Sequence, residues 1–233
     1  MIFLFLFLFQ LDFEDATPDK LTWEEYATKF LDSAVPLSSQ IDPITLFKKV
    51  RENRLEEVKD IINVNRLLII NWKHPNRQDN SEWTALHMAC DRGHLQLVQV
   101  LLAHPAIDVN LQSSSGSTPL LFACVNGQFE VVKLLLRDGR AKMNVPDSQG
   151  RTPLWHATSN DHLKIVQLLL LVGGKTLDVR QGGSYRDQLL TPLDLAKELR
   201  KTRIQPLLES FERDPEHTRE EIRKDLGVRG TWC

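Results

Sequence analysis

From Thr84 to about Phe211 the apolar residues fall in short helical stripes, taken two at a time and separated by Gly and polar turns. The stretch from Ser117 to Leu136 shows the unit most clearly. Leu120, Ala123 and Cys124 recur at helical spacing and predict one buried face. Asn126-Gly127 interrupts it, and Phe129, Val132, Leu135 and Leu136 begin a second face. The hydroxyl of Thr118 suits an N-cap, and Pro119 suits the first helical position, where its missing N–H costs nothing. Gly127 can take the left-handed conformation that closes the first helix. Helices of two or three turns do not persist alone in water, so similar units must stack on both sides.

The sequence supplies those units. Thr118 lies 34 positions after Thr84, and Thr152 lies 34 after Thr118; Thr191 follows Thr152 by 39, which implies an insertion. The runs are Thr84-Ala85-Leu86-His87-Met88-Ala89, Thr118-Pro119-Leu120, Thr152-Pro153-Leu154-Trp155-His156-Ala157 and Thr191-Pro192-Leu193-Asp194-Leu195-Ala196. This pattern resembles the ankyrin repeat, whose units of about 33 residues carry Thr-Pro-Leu-His-x-Ala. The Trp-x-x-Leu-Gly-x-x-Tyr pattern of the tetratricopeptide repeat is absent. The resemblance implies an all-α solenoid of helix-turn-helix units with finger-like turns.

Three segments are expected: an apolar leader and acidic helical extension at 1–41, an ankyrin-repeat domain of about five units at 42–212, and a C-terminal helix and tail at 213–233. In the extension, Thr22 and Glu25 form a capping box, with Trp23, Tyr26, Ala27, Phe30 and Leu31 on one face. That face reads either as a cap on the first unit or as a docking helix. Met1 to Phe9 is too short to span a bilayer. A targeting segment, a disordered leader, a misassigned start and packing onto the first unit all stay open for it. The first unit opens at Asp42-Pro43 and replaces apolar or small positions with Lys48, Lys49 and Arg51, as a terminal unit does. In the fourth, Asp161 stands where the others have Gly, a less comfortable left-handed residue. The fifth has no Gly at its helix–helix turn and reads as the C-terminal cap. The extra residues before Thr191 put Gly173-Gly174 to Gly182-Gly183 in a longer loop. Beyond the array, Asp214-Pro215 starts a helix from Glu216 to Leu226, ended by Gly227. It has only Ile222 and Leu226 as apolar residues and reads as a solvated extension or a short docking element.

Charge and cysteine content narrow the function. With a net charge of −2 over 233 residues, no bulk field recruits nucleic acid, and no direct nucleic-acid or membrane contact is expected. Three cysteines make no even framework. Cys90 and Cys124 share one repeat position and read as small core residues of a reducing compartment. That compartment is expected to be the cytoplasm, with the nucleus as a second location.

The chemistry-bearing residues do not assemble into a reaction. His87, Cys90 and His94 have the spacing of a zinc half-site. Each also has a structural explanation: His87 as the signature His bonding turn backbone, Cys90 facing the core, His94 following the turn Gly. No Gly-x-Ser-x-Gly elbow, phosphate loop or Gly-x-Gly-x-x-Gly occurs. No enzyme activity, metal or cofactor is expected.

The resemblance implies recognition of another protein by a concave surface of turns and first helices. Positions the fold leaves free are Asn80, Ser81, Trp83, Asp91 and Arg92 in the second unit, Ser115, Ser117 and Asn126 in the third, and Gln149, Arg151, Ser159 and Asn160 in the fourth. Trp83 and Arg151 are the expected anchors, because aromatic and Arg side chains dominate binding hot spots. Trp83 can instead pack locally with Trp72, and Arg151 can pair with Asp147 or Asp187. The expected role is a monomeric adaptor or scaffold, with a regulatory inhibitor that masks one enzyme or transcription-factor surface as the alternative.

Overall fold

Four Thr helix starts and five left-handed turn residues mark out five helix pairs among the described residues, seen in a computed structural model that describes residues 43–64, 70–75, 82–174 and 176–228. The readings made above for the N-terminal 42 residues, for Asn80 and Ser81 and for Cys233 lie outside the described residues. The inner helices are α1 (Pro43–Arg51), α3 (Ala85–Arg92), α5 (Pro119–Val125), α7 (Pro153–Ser159) and α9 (Pro192–Glu198). The outer helices are α2 (Leu55–Val64), α4 (Leu95–Leu102), α6 (Phe129–Asp138), α8 (Leu163–Val172) and α10 (Ile204–Arg213), and α11 (Pro215–Asp225) follows. Two antiparallel hairpins lie between units: β1 (His74–Pro75) with β2 (Glu82–Trp83), and β3 (Gly183–Tyr185) with β4 (Gln188–Leu190).

Each inner helix packs on the next inner helix, and each outer helix on the next outer one. The reason is side-chain size. Ala89, Ala123, Ala157 and Ala196 sit at one repeat position and are fully buried, so inner-helix backbones approach closely. Leu86, Leu120 and Leu154 fill the layer between inner and outer rows, joined by Leu101, Leu135 and Leu169 from the outer row. The starts are as the sequence predicts. Thr84, Thr118, Thr152 and Thr191 are extended N-caps whose hydroxyls accept the backbone N–H of the residue three further on.

The helix–helix turns repeat one left-handed residue: Asn53, Gly93, Gly127, Asp161 and Arg200, with φ between 53° and 70°. Only Gly93 and Gly127 need to be Gly for a second reason. A Cβ on Gly127 would stand 2.6 Å from the His162 ring, which crosses the turn to reach the Val125 carbonyl at 3.0 Å. At Gly93 the Gln128 side chain crosses in the same way and bonds the Asp91 carbonyl at 3.2 Å. Gly127→Ala is therefore expected to cost about 2 kcal/mol, from left-handed strain plus displacement of His162. Asp161→Gly is expected to add about 0.5–1 kcal/mol by relieving strain alone. Urea unfolding of the two variants beside the wild type measures both.

The loops after the outer helices are braced by asparagines. Asn71 accepts the Asp108 N–H at 2.9 Å and donates to the Ala106 carbonyl at 2.7 Å. Asn110 does the same to Lys142 and Arg140, and Asn144 to Asp178 and Thr176. Arg180 replaces Asn in the last unit and instead approaches Glu212 at 3.6 Å.

The C-terminal helix departs from the solvated reading. α11 packs on α8 and α10, with Thr218, Arg219 and Ile222 buried. The Arg219 guanidinium donates to the Leu170 carbonyl at 3.2 Å and the Gly174 carbonyl at 2.8 Å, and pairs with Glu216 at 2.6 Å. It also lies 5.0 Å over the Phe211 ring. An Arg that binds the orphan carbonyls at a helix end does work that hydrophobic periodicity cannot show.

Candidate protein-interaction surface

The turns that precede the inner helices stand side by side and are bonded through their backbones. The Ser148 N–H donates to the Ser115 carbonyl at 2.9 Å, and the Ser184 N–H to the Gln149 carbonyl at 3.0 Å. Inner helices and turns are also tied from unit to unit by ring N–H groups. His87 Nε2 lies 3.1 Å from the carbonyl of Ser117, the residue before Thr118. Trp155 Nε1 donates at 3.1 Å to the carbonyl of Leu190, the residue before Thr191. Trp155 thus replaces the signature His in residue type while making the same bond.

The His87 ring is fully committed. Its Nδ1 accepts the Thr84 N–H at 3.0 Å, which leaves Nε2 to carry the proton donated to Ser117. Burial pushes its pKa down to about 4, against the pull of the Ser117 carbonyl toward the charged form. Burial pushes the Cys90 and Cys124 thiols up. Among the described residues no cluster of His, Cys, Asp and Glu could hold a metal ion. Because the folded state holds His87 neutral and the unfolded chain does not, stability is complete above the ordinary His pKa and falls as pH drops toward 4. Between pH 7 and pH 5 that loss is expected to be about 2 kcal/mol. His94, shifted down by burial, adds to it with the same sign. Urea midpoints at the two pH values, wild type against His87→Gln, check it; the variant's pH slope should be flatter.

The fourth finger is held by one carboxylate. Asp147 Oδ1 accepts the Gln149 N–H at 2.9 Å and the Arg151 N–H at 3.0 Å. Its Oδ2 meets Arg151 Nε at 2.8 Å and His156 Nε2 at 2.9 Å. Burial would raise the Asp147 pKa, but the bonds from His156, Arg151 and the two backbone N–H groups outweigh it and hold the carboxyl well below its usual range.

The expected partner positions sort by what the fold already asks of them. Arg151 is clamped on Asp147, with its guanidinium 5.6 Å from the Trp155 ring centroid. Its engagement with Asp147, one of the two alternatives in the sequence, makes it part of the scaffold. Trp83 is half-buried against Phe122, with centroids 4.5 Å apart, while Trp72 packs on His74. Local packing of Trp83 is thus seen, with a different partner. Ser117 is buried and its carbonyl is taken by His87, so its side chain is not presented. Asp91 and Asn126 bond each other across units at 2.9 Å. Asn160 is exposed but donates to its own His156 carbonyl, and Ser159 is half-buried. Ser115 is exposed, in contact with the Ser113 and Ser117 hydroxyls. Gln149 is exposed, and Arg92 is exposed with its guanidinium 3.8 Å from Asp91.

Residues outside the expected set extend this surface. Tyr185 is half-buried 6.4 Å from Trp155, with the Arg186 guanidinium 5.2 Å over its ring. Leu189 is 76% exposed. The long Thr152–Thr191 interval signals extra chain here, but nothing in it shows that residues 183–190 fold as a hairpin.

A family model for ankyrin repeats (3 copies) matches residues 56–147 and 106–182. No curated protein matches the chain. Among the described residues no helix is long and apolar enough to cross a membrane.

Proposed function

The chain belongs to the ankyrin-repeat family, whose repeats are generally protein-interaction modules, and we propose that it acts as an adaptor or scaffold that binds another protein through the finger side of the stack. The observation that supports this reading is the row of fingers tied backbone to backbone by Ser148 on Ser115 and Ser184 on Gln149. Those bonds preorder the surface, so little conformational entropy is lost when a partner is met. Gln149 and Leu189 are exposed on the fingers, Arg186 is exposed in the β3–β4 turn over Tyr185, and Arg92 is exposed at the end of α3. Trp83 and Tyr185 offer half-buried aromatic edges beside them.

The adaptor reading asks for a second contact. The buried side of α11 is occupied by the array itself, so that contact falls to the sequence-predicted helix from Thr22 to Leu31. An inhibitor that masks one enzyme or transcription-factor surface needs no second contact and lowers its partner's activity. The protein acts as a monomer in the cytoplasm, with the nucleus as a second location. Free, buried Cys90 and Cys124 support a reducing compartment.

The test is affinity capture from lysate of the source cells with the wild type and an Arg92→Glu/Gln149→Glu variant, folding checked by circular dichroism. A partner lost with the variant supports the reading. A partner retained in full overturns the finger side as the binding surface. The original anchors are poor probes, since Arg151→Ala would disturb Asp147 as well as the surface.

A further inference from the structure

Among the described residues the finger row has one end at which its backbone ladder stops without a partner. Arg186 and Asp187, with φ of 48° and 64°, form a two-residue turn that closes β3 on β4. The register pairs Tyr185 with Gln188 next to that turn, then Ser184 with Leu189, then Gly183 with Leu190. Hydrogen-bonded and non-bonded pairs alternate in an antiparallel ladder, and the pair beside a two-residue turn is a bonded one. Ser184 and Leu189 are then the non-bonded pair, and both point their N–H and C=O groups out of the hairpin. Ser184 agrees with this assignment: its N–H leaves the hairpin and donates to Gln149 of the preceding finger. Leu189 is its mirror on the opposite edge. Among the described residues nothing bonds its outward N–H or C=O.

The side chains agree. Tyr185, on the face of the hairpin with Gln188, approaches Trp155 of the inner helix. Leu189, on the other face, rests beside Gly182, where a Cβ would stand 3.0 Å from its Cγ, and is otherwise open to solvent. Exposed edge strands are usually blunted by shortness, by Lys or Pro, or by a covering element. β4 is short, three residues, but its one outward residue is a bare Leu.

We propose that the outer edge of β4 is a docking site for an extended segment of the partner protein, which adds to the finger row as one more strand. The proposal rests on the reading of the finger side as the binding surface and names the place and the conformation of what binds. Its argument is continuity. At two earlier steps of this row the next segment donates an N–H to the outward carbonyl of the finger before it, Ser148 to Ser115 and Ser184 to Gln149. The occupant donates to the Leu189 carbonyl in the same way and accepts the Leu189 N–H. An aliphatic or aromatic residue of the segment covers the Leu189 side chain, as in strand addition generally. A symmetric pair of copies would make the same two hydrogen bonds, but it would not continue the one-directional row of fingers, and self-association is the competing outcome of the binding test.

The first check is amide exchange of the full chain by nuclear magnetic resonance: the Leu189 amide should exchange freely while those of Ser184 and Gln188 are protected. Protection of Leu189 in the free chain overturns the proposal. The binding test selects a displayed library of random linear peptides on the immobilised chain. Enriched peptides should protect the Leu189 amide. They should lose about tenfold or more in affinity for Leu189→Pro, which removes the donor from an exposed edge. Leu189→Lys is the second variant, keeping the donor while charging the edge, and should weaken binding as well. Equal binding to wild type and both variants, no enrichment, or self-association that depends on Leu189 would each overturn the proposal. Lysate capture that persists with Leu189→Pro but fails with Arg92→Glu/Gln149→Glu would remove the edge site and leave the finger-side reading standing.

Discussion

Asp147→Ala is expected to lower the unfolding free energy by about 3–4 kcal/mol, the scale for breaking a buried ion pair from one side. The loss has three sources. The Gln149 and Arg151 N–H groups lose their acceptor inside the finger. The His156 ring, itself buried, loses its partner at Oδ2. The Arg151 side chain, still packed on Trp155, is left without its carboxylate. Asp147→Asn separates shape from charge: Oδ1 can still accept the two backbone bonds, so its loss should be smaller, about half. Both follow from urea unfolding watched by circular dichroism at neutral pH. The sign with pH is fixed by the depressed pKa. The stabilisation from Asp147 is present above the ordinary carboxylate range and lost as pH falls below it, so the difference between wild type and Asp147→Ala should shrink in acid. A difference that held constant down to acid unfolding would mean that the charge contributes nothing. Because the fingers are tied to one another, the effect should also spread: amide protection at Ser148 and Ser184 should fall with the variant.

Arg219→Ala is expected to cost about 2–3 kcal/mol, by leaving the buried Leu170 carbonyl orphaned and the part-buried Gly174 carbonyl without its guanidinium. The side chain is 8% exposed and its guanidinium lies over Phe211, so truncation also opens a void beside the aromatic ring. Arg219→Lys should rescue little, because a single ammonium cannot span two carbonyls and stack on the ring together. Since α11 is at the end of the array, part of the cost should appear as local release. Hydrogen exchange should accelerate over Pro215–Asp225 and at the end of α8, before the central units change. Uniform loss across all five helix pairs would show that the helix is coupled to the whole stack. No change at all would return it to the solvated class that its polar sequence suggested.

The contrast between those two residues shows what the sequence carried. The fold was legible because stacking needs the same residue type at the same place in each unit: Thr to cap, Ala for close approach, Gly where His162 and Gln128 cross a turn. Even the exceptions were readable, since Asp161 in a Gly position takes the left-handed conformation expected of it. Arg219 was not, because periodicity counts a charged residue as solvated and has no means of seeing carbonyls at a distant helix end. The site was legible only as a set of positions. Arg151 has the residue type of an anchor, but whether such a side chain faces a partner or its own Asp147 is decided by geometry. Trp155 departs from the signature in residue type, yet a ring N–H in that place reaches Leu190 as His87 reaches Ser117. The β3–β4 edge was hidden in an interval that showed only extra chain, with its left-handed pair Arg186-Asp187 lacking the Gly or Asn that usually marks such a turn.

The most direct test of the central claim is hydrogen exchange on the complex with the partner that capture delivers, read by mass spectrometry against the free chain. New protection is expected along the finger row and the exposed ends of the inner helices, in segments holding Arg92, Ser115, Gln149 and Leu189. Protection confined to the outer helices α4, α6 and α8, with the fingers unchanged, would contradict it.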